Sequence, residues 1–106
     1  MSVTDIALMR RWRGAILEYV YNGHRHQQSR MDGVALWGMM QDFGHMASLN
    51  DVITMLQQLR DREYLTFEET RNKYTNEISI TKIQITPEGC DLVEGLVKED
   101  PAVRIL

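Results

Sequence analysis

The sequence predicts one small α+β domain: three helices, an antiparallel two-stranded hairpin and a C-terminal helix. Three observations carry this reading. Apolar residues recur at helical spacing in three successive stretches before residue 62. The period then changes to two, from Tyr64 to Thr86, around a polar turn. Finally, Thr86-Pro87-Glu88-Gly89 reads as a strand-to-helix junction.

Helix 1 is expected from about Asp5 to Tyr21, with Thr4 as N-cap. Met9, Trp12, Ile16 and Val20 share a face, joined by Leu8 and Tyr19, while Arg10, Arg11 and Glu18 face away. Ile6 and Leu17 lie on a flank, which leaves two readings: partial exposure, or contact with a second subunit. Asn22-Gly23 is expected to end this helix, because glycine accepts the left-handed conformation common at helix C-termini. A polar loop follows, with a short edge strand at Ser29–Met31 as a possible third strand.

Helix 2 starts at the N-cap Asp32 and ends before Gly44, with Leu36, Trp37, Met40 and Phe43 on one face. After the turn Gly44-His45-Met46-Ala47, Ser48 caps helix 3 and Asp51 completes a capping box. Helix 3 spans about Leu49 to Arg62, with Leu49, Val52, Ile53, Leu56 and Leu59 as its buried stripe. Two helices joined by so short a turn form a helix-turn-helix unit.

Tyr64–Thr70 alternates as a half-buried strand, Asn72–Asn76 is a turn, and Glu77–Thr86 is the return strand. Ile78 and Ile80 have one parity, Ile83 and Ile85 the other, so an unbroken strand would split them between faces. A bulge near Thr81-Lys82 is therefore predicted. Thr86 caps helix 4, Pro87 takes the first helical position and Glu88 complements the helix dipole. This helix is expected over about 87–98, carrying Leu92, Val93, Leu96 and Val97, with Asp100-Pro101 as its stop and 99–106 as a tail.

A chain of 106 residues suits one domain and is too short for two. The single Cys90 cannot form an internal disulfide, no apolar run approaches a membrane span, and the first residues lack a secretory pattern. A cytoplasmic protein is the expectation. The net charge of −3 argues against indiscriminate nucleic-acid binding. Its distribution is uneven. Residues 1–31 hold five arginines against Asp5 and Glu18, whereas residues 61–106 hold six Lys/Arg against ten Asp/Glu. The basic N-terminal part is either a solvated helix face or a surface that steers a polyanion or acidic partner.

The order helix, helix-turn-helix, hairpin, helix resembles the winged-helix (winged helix-turn-helix) fold. The resemblance rests on Leu56–Leu65, the hairpin, and Ile85-Thr86-Pro87-Glu88-Gly89, and covers about residues 8 to 99. A closer resemblance is to short winged-helix proteins of Mu-like bacteriophages and prophages. It is carried by Phe43-Gly44-His45 and by Thr86, Gly89, Asp91 and Gly95 in a "Thr-x-x-Gly-x-Asp-x-x-x-Gly" pattern. One departure is Glu63, which stands where many winged helices place glycine. It implies either a different turn or about 1 kcal/mol of strain.

The resemblance implies double-stranded DNA as partner, a homodimer, and a phage-type transcriptional regulator. In such a fold the exposed face of helix 3 enters the major groove. There Asn and Gln read adenine edges and Thr touches a thymine methyl. Ser48, Asn50, Thr54, Gln57 and Gln58 are the candidates. Asp51 and Asp61 oppose that role, and no Lys or Arg lies between Ser48 and Gln58. In the wing, Arg71, Lys73 and Lys82 beside Tyr74 could hold phosphate, although Glu68, Glu69 and Glu77 surround them. Arg25 and Arg30 are further phosphate candidates, within a basic set of Arg10, Arg11 and Arg13 with His24 and His26. Ile6, Leu17, Leu92 and Leu96 are the candidate dimer contacts.

Other chemistry is thin. His24-x-His26, His45 and Cys90 lack the spacing of a metal site, so no metal or cofactor is expected. Cys90 reads as a small buried residue, and the methionines as core fillers, with Met39 and Met55 at stripe edges able to line a partner surface. There is no nucleophile elbow, paired-carboxylate cleft or phosphate loop, so an enzyme is not expected. The competing reading is a protein-interaction module, since fold does not fix function.

Overall fold

The computed structural model describes residues 3–25 and 31–105. Its elements are α1 (Val3–Arg25), α2 (Gly33–Asp42), α3 (Leu49–Asp61), β1 (Leu65–Arg71), β2 (Ile78–Ile85) and α4 (Pro87–Val93). The architecture is α+β, with four helices and a two-stranded antiparallel sheet among the described residues. No helix there is long and apolar enough to cross a membrane.

A shared core joins every element. Ile16, Leu17 and Val20 of α1 meet Leu36 and Met40 of α2, and Val52, Met55, Leu56 and Leu59 of α3. Leu65, Ile80, Ile83, Ile85 and Leu92 close it, together with Val103. Each large side chain so buried contributes roughly 1.5–3 kcal/mol of transfer free energy.

The bulge lies where the isoleucine parities require it. Thr66 pairs with Gln84, but Glu68 pairs with Thr81, so β2 holds one more residue than β1 between those rungs. Lys82 takes a left-handed φ of 54° there. Ile80, Ile83 and Ile85 consequently all reach the core. Met31 adds one isolated antiparallel bridge, its carbonyl accepting from the Ile83 N–H at 3.0 Å. The rest of the expected edge strand, Ser29 and Arg30, lies outside the described residues.

Helix caps explain the element ends. Asp32, Ser48 and Thr86 each accept from a first-turn N–H, and Ser48 with Asp51 forms the full capping box. Three helices end in Schellman motifs, with the residue after the C-cap left-handed. These residues are Gly44 (φ 82°), Glu63 (φ 67°) and Gly95 (φ 74°). The Tyr64 N–H reaches the Leu59 carbonyl at 3.1 Å and the Glu63 N–H reaches Arg60 at 2.8 Å. Glu63 thus occupies a glycine position without changing the turn. Glu63→Gly is expected to stabilise the fold by about 0.5–1 kcal/mol, the left-handed strain removed less the entropy glycine adds to the unfolded chain. Thermal unfolding should show a midpoint about 2–8 °C higher. An unchanged or lower midpoint would mean that Glu63 is not strained.

Several expectations are corrected. α1 begins at Val3, so Thr4 lies within the helix rather than capping it. The helix also runs through Asn22-Gly23 to Arg25. Gly23 is a packing residue instead, where a Cβ would stand 3.2 Å from the Met31 methyl. Leu17, placed on a flank, is 0% exposed. Met55 joins the α3 stripe, in one cluster with Ile16 and Leu17 of α1 and Leu65 of β1, while Leu49 and Ile53 are only half-buried. Phe43 is 64% exposed, stacked on Tyr19 at 5.4 Å rather than buried in the core. Cys90 is half-buried rather than buried, and even so burial raises its pKa. α4 stops at Val93, five residues short of expectation, because the Gly95 motif ends it before Asp100-Pro101 can. Leu96 and Val97 are therefore outside the helix and exposed.

Residues 100–104 are docked on α1 and on the α3–β1 junction. The Asp100 carboxylate accepts from the Tyr64 hydroxyl (2.6 Å), Arg62 (3.2 Å) and the Ala102 N–H (2.9 Å). Arg13 donates Nε to the Ala102 carbonyl at 2.8 Å, and the Arg104 N–H reaches the Arg10 carbonyl at 3.1 Å. Partial burial pushes the Asp100 pKa up, but the bonds from Tyr64 and Ala102 and the Arg62 charge outweigh it and hold it below its ordinary value. Burial, then the bond to Asp100, push Tyr64 up to about 12.

A depressed carboxylate pKa stabilises the fold above its unfolded value, and that contribution is lost as pH falls through the folded value. Asp100→Asn is expected to cost about 1–2 kcal/mol at neutral pH, and less at pH values below about 4. Thermal midpoints of the two proteins should converge on acidification. Parallel curves would exclude a charged Asp100 latch.

Candidate nucleic-acid interface

The outer face of α3 is built by elimination. Val52, Met55, Leu56 and Leu59 turn inward, which leaves Asn50, Thr54 and Asp61 outward, with Asp51 and Gln58 on one margin and Gln57 and Arg60 on the other. Asn50 and Thr54 are exposed and carry no side-chain hydrogen bond among the described residues. The other sequence candidates are engaged. The Ser48 hydroxyl accepts from the Asp51 N–H at 3.0 Å. Gln57 donates Nε2 to Glu69 at 2.8 Å, and Gln58 accepts from Arg13 at 2.8 Å.

The hairpin is braced against this helix. The Arg60 guanidinium lies 4.8 Å over the Phe67 ring and 3.6 Å from the Glu69 carboxylate. Glu69 also receives Gln57, so two α3 side chains converge on one strand residue. Arg60 lies 3.5 Å from Asp61 as well. The pairing of Arg60 with Glu69 was not among the expectations, although the strand carries a signal for it. Leu65, Phe67 and Glu69 share the strand parity that faces α3.

At the hairpin tip, Asn72 accepts from the Tyr74 and Thr75 N–H groups at 2.8 and 3.2 Å. Asn76 takes a left-handed φ of 61° to close the turn. This holds Tyr74 at 96% exposure. Arg71 and Lys73 precede it, exposed and in no ion pair among the described residues. Lys82 is instead 3.3 Å from Glu68.

The structure therefore brings Asn50, Thr54, Arg71, Lys73 and Tyr74 to exposed positions and ties up Ser48, Gln57, Gln58 and Lys82. Arg30 and the Arg25 side chain lie outside the described residues. Arg13, part of the basic N-terminal set, is half-buried and bonded. Burial first, then Arg62 and Arg10, lower its pKa. Among the dimer candidates, Leu17 and Leu92 belong to the core, while Ile6 and Leu96 are on the surface. Two exposed residues were not anticipated. Phe43 and Met46, the latter 80% exposed, stand in the α2–α3 turn beside the N-terminus of α3. His45 in that turn bonds the Tyr19 hydroxyl at 3.0 Å. No family model, curated protein or solved structure matches the chain.

Proposed function

We propose that the protein is a winged-helix DNA-binding protein, a phage- or prophage-type transcriptional regulator. One observation carries this reading: the hairpin is held to α3 by Arg60, Gln57, Glu69 and Phe67, and its tip presents an exposed tyrosine and two cations in no ion pair among the described residues. A rigid helix-plus-wing unit is what simultaneous contact with a groove and the adjoining phosphates needs. Asn50 and Thr54 read bases, while Arg71 and Lys73 hold phosphate and Tyr74 packs on sugar or backbone.

Anisotropy titrations against duplex pools test it. Binding should weaken with salt, and Arg71→Ala/Lys73→Ala should reduce the slope of log K against log salt by about 2. Asn50→Ala should cost about 1–3 kcal/mol on a selected sequence and little on random duplex. Absence of binding at low salt would overturn the reading.

A second reading, a protein-interaction module, is favoured by Phe43 and Met46. An exposed aromatic and an exposed methionine beside the helix that would face DNA suit a protein partner better than phosphate. Asp51 and Asp61 on the same helix add to that. Under this reading Phe43→Ser/Met46→Ser abolishes partner binding, whereas under the first it leaves DNA affinity unchanged.

A further inference from the structure

A second surface lies away from α3 and the hairpin tip. The early turns of α1, the end of α4 and residues 95–105 enclose a broad groove of about 1010 Å³. Its apolar walls come from Leu92, Val93, Val97, Val103 and Ile105. Leu92 and Val103 form the buried floor, while Val97 is 49% exposed and the adjacent Leu96 is 70% exposed. The Gly95 motif creates this exposure: by ending α4 early it leaves two large apolar residues in an irregular segment, 70% and 49% exposed.

The charges lining it lean positive, three cations against two carboxylates. Arg10, Lys98 and Arg104 line the groove and take part in no ion pair among the described residues. Of the two carboxylates there, Asp100 is occupied by Tyr64, Arg62 and the Ala102 N–H, which leaves Glu99. A groove with three open cations on a chain of net charge −3 stands out from its surroundings. Apolar walls give no purchase to a phosphate backbone, and a second copy docked by two-fold symmetry would set these cations against themselves. The volume is at the upper end of small-molecule clefts.

We infer that this groove docks an acidic amphipathic segment of a partner protein, with apolar anchors against Val97 and Leu92 and carboxylates toward Arg10, Lys98 and Arg104. Such segments present apolar residues at i, i+3/i+4 and i+7 with charge on the remaining face. The site is independent of DNA binding through α3 and the hairpin.

The test uses two labelled peptides of about 16 residues with leucines at that spacing, one with glutamates on the other face and one with lysines. Anisotropy gives affinity and amide chemical shifts give location on the intact protein. The glutamate peptide should bind saturably, at least about tenfold tighter than the lysine peptide, with shifts in residues 92–105 and the first turns of α1. Arg10→Glu/Lys98→Glu, both on exposed side chains, should weaken it at least about tenfold with an unchanged circular dichroism spectrum. Equal binding of both peptides, no binding, or shifts confined to Phe43 and Met46 would overturn the inference. So would duplex DNA shifting the same groove residues, or sedimentation showing a dimer that buries them.

Discussion

Gly14→Ala is expected to cost about 3 kcal/mol or more and to lower the thermal midpoint by about 10–20 °C. Helix propensity argues the other way: alanine in a helix interior is worth about 1 kcal/mol over glycine. The sign of the change is therefore diagnostic. A Cβ on Gly14 would overlap the Arg104 carbonyl, and the Arg104 N–H is held by the Arg10 carbonyl one turn earlier. The obstacle is backbone, so relief requires lifting residues 100–105 off α1 and opening the core at Val103. Hydrogen exchange at the Arg104 amide should accelerate in step with the loss. A variant as stable as the parent would show that α1 and the C-terminal segment do not pack this closely.

Leu17→Ala should destabilise by about 2–5 kcal/mol, and the loss should not vary with protein concentration. Leu17 is wholly inaccessible and packs in the same cluster as Ile16 and Val20. Were it a subunit contact, as its place on the helical wheel also allowed, truncation would cost the monomer little and the midpoint would depend on concentration. Denaturant unfolding at two concentrations about a hundredfold apart separates these outcomes.

What the sequence made legible was whatever local chemistry decides. Ser48 and Asp51 cap each other through bonds three residues apart, and Thr86-Pro87 starts α4 by the same short-range logic. The bulge was legible because four isoleucines cannot share a face unless one residue is skipped. Errors came where distant parts of the chain decide. Gly23 looks like a helix end until Met31 is seen to pack on it. Phe43 fits an apolar stripe, but Tyr19 offers it a surface stack outside the core. The Gly95 stop could have been read from its type alone, as Gly44 was, but apolar Leu96 and Val97 beyond it imitated two more helical positions.

The candidate interface divided in the same way. Residue type singled out Asn50 and Thr54, and the polar turn singled out Arg71, Lys73 and Tyr74. That Gln57 and Gln58 would be consumed by Glu69 and Arg13 depends on how the hairpin and α1 lie against α3. No spacing along the chain encodes those approaches.

The bond from Arg13 to Ala102 joins residues 89 positions apart. A ribosome delivers α1 first, so helices, hairpin and α4 can all emerge before the stretch from Arg10 to Gly14 receives its cover. During synthesis, closure of that strip waits for residues 102–104, and contacts of such separation are slow to form. Until then the nascent chain leaves the edge of the core that Val103 closes open to chaperones and proteases.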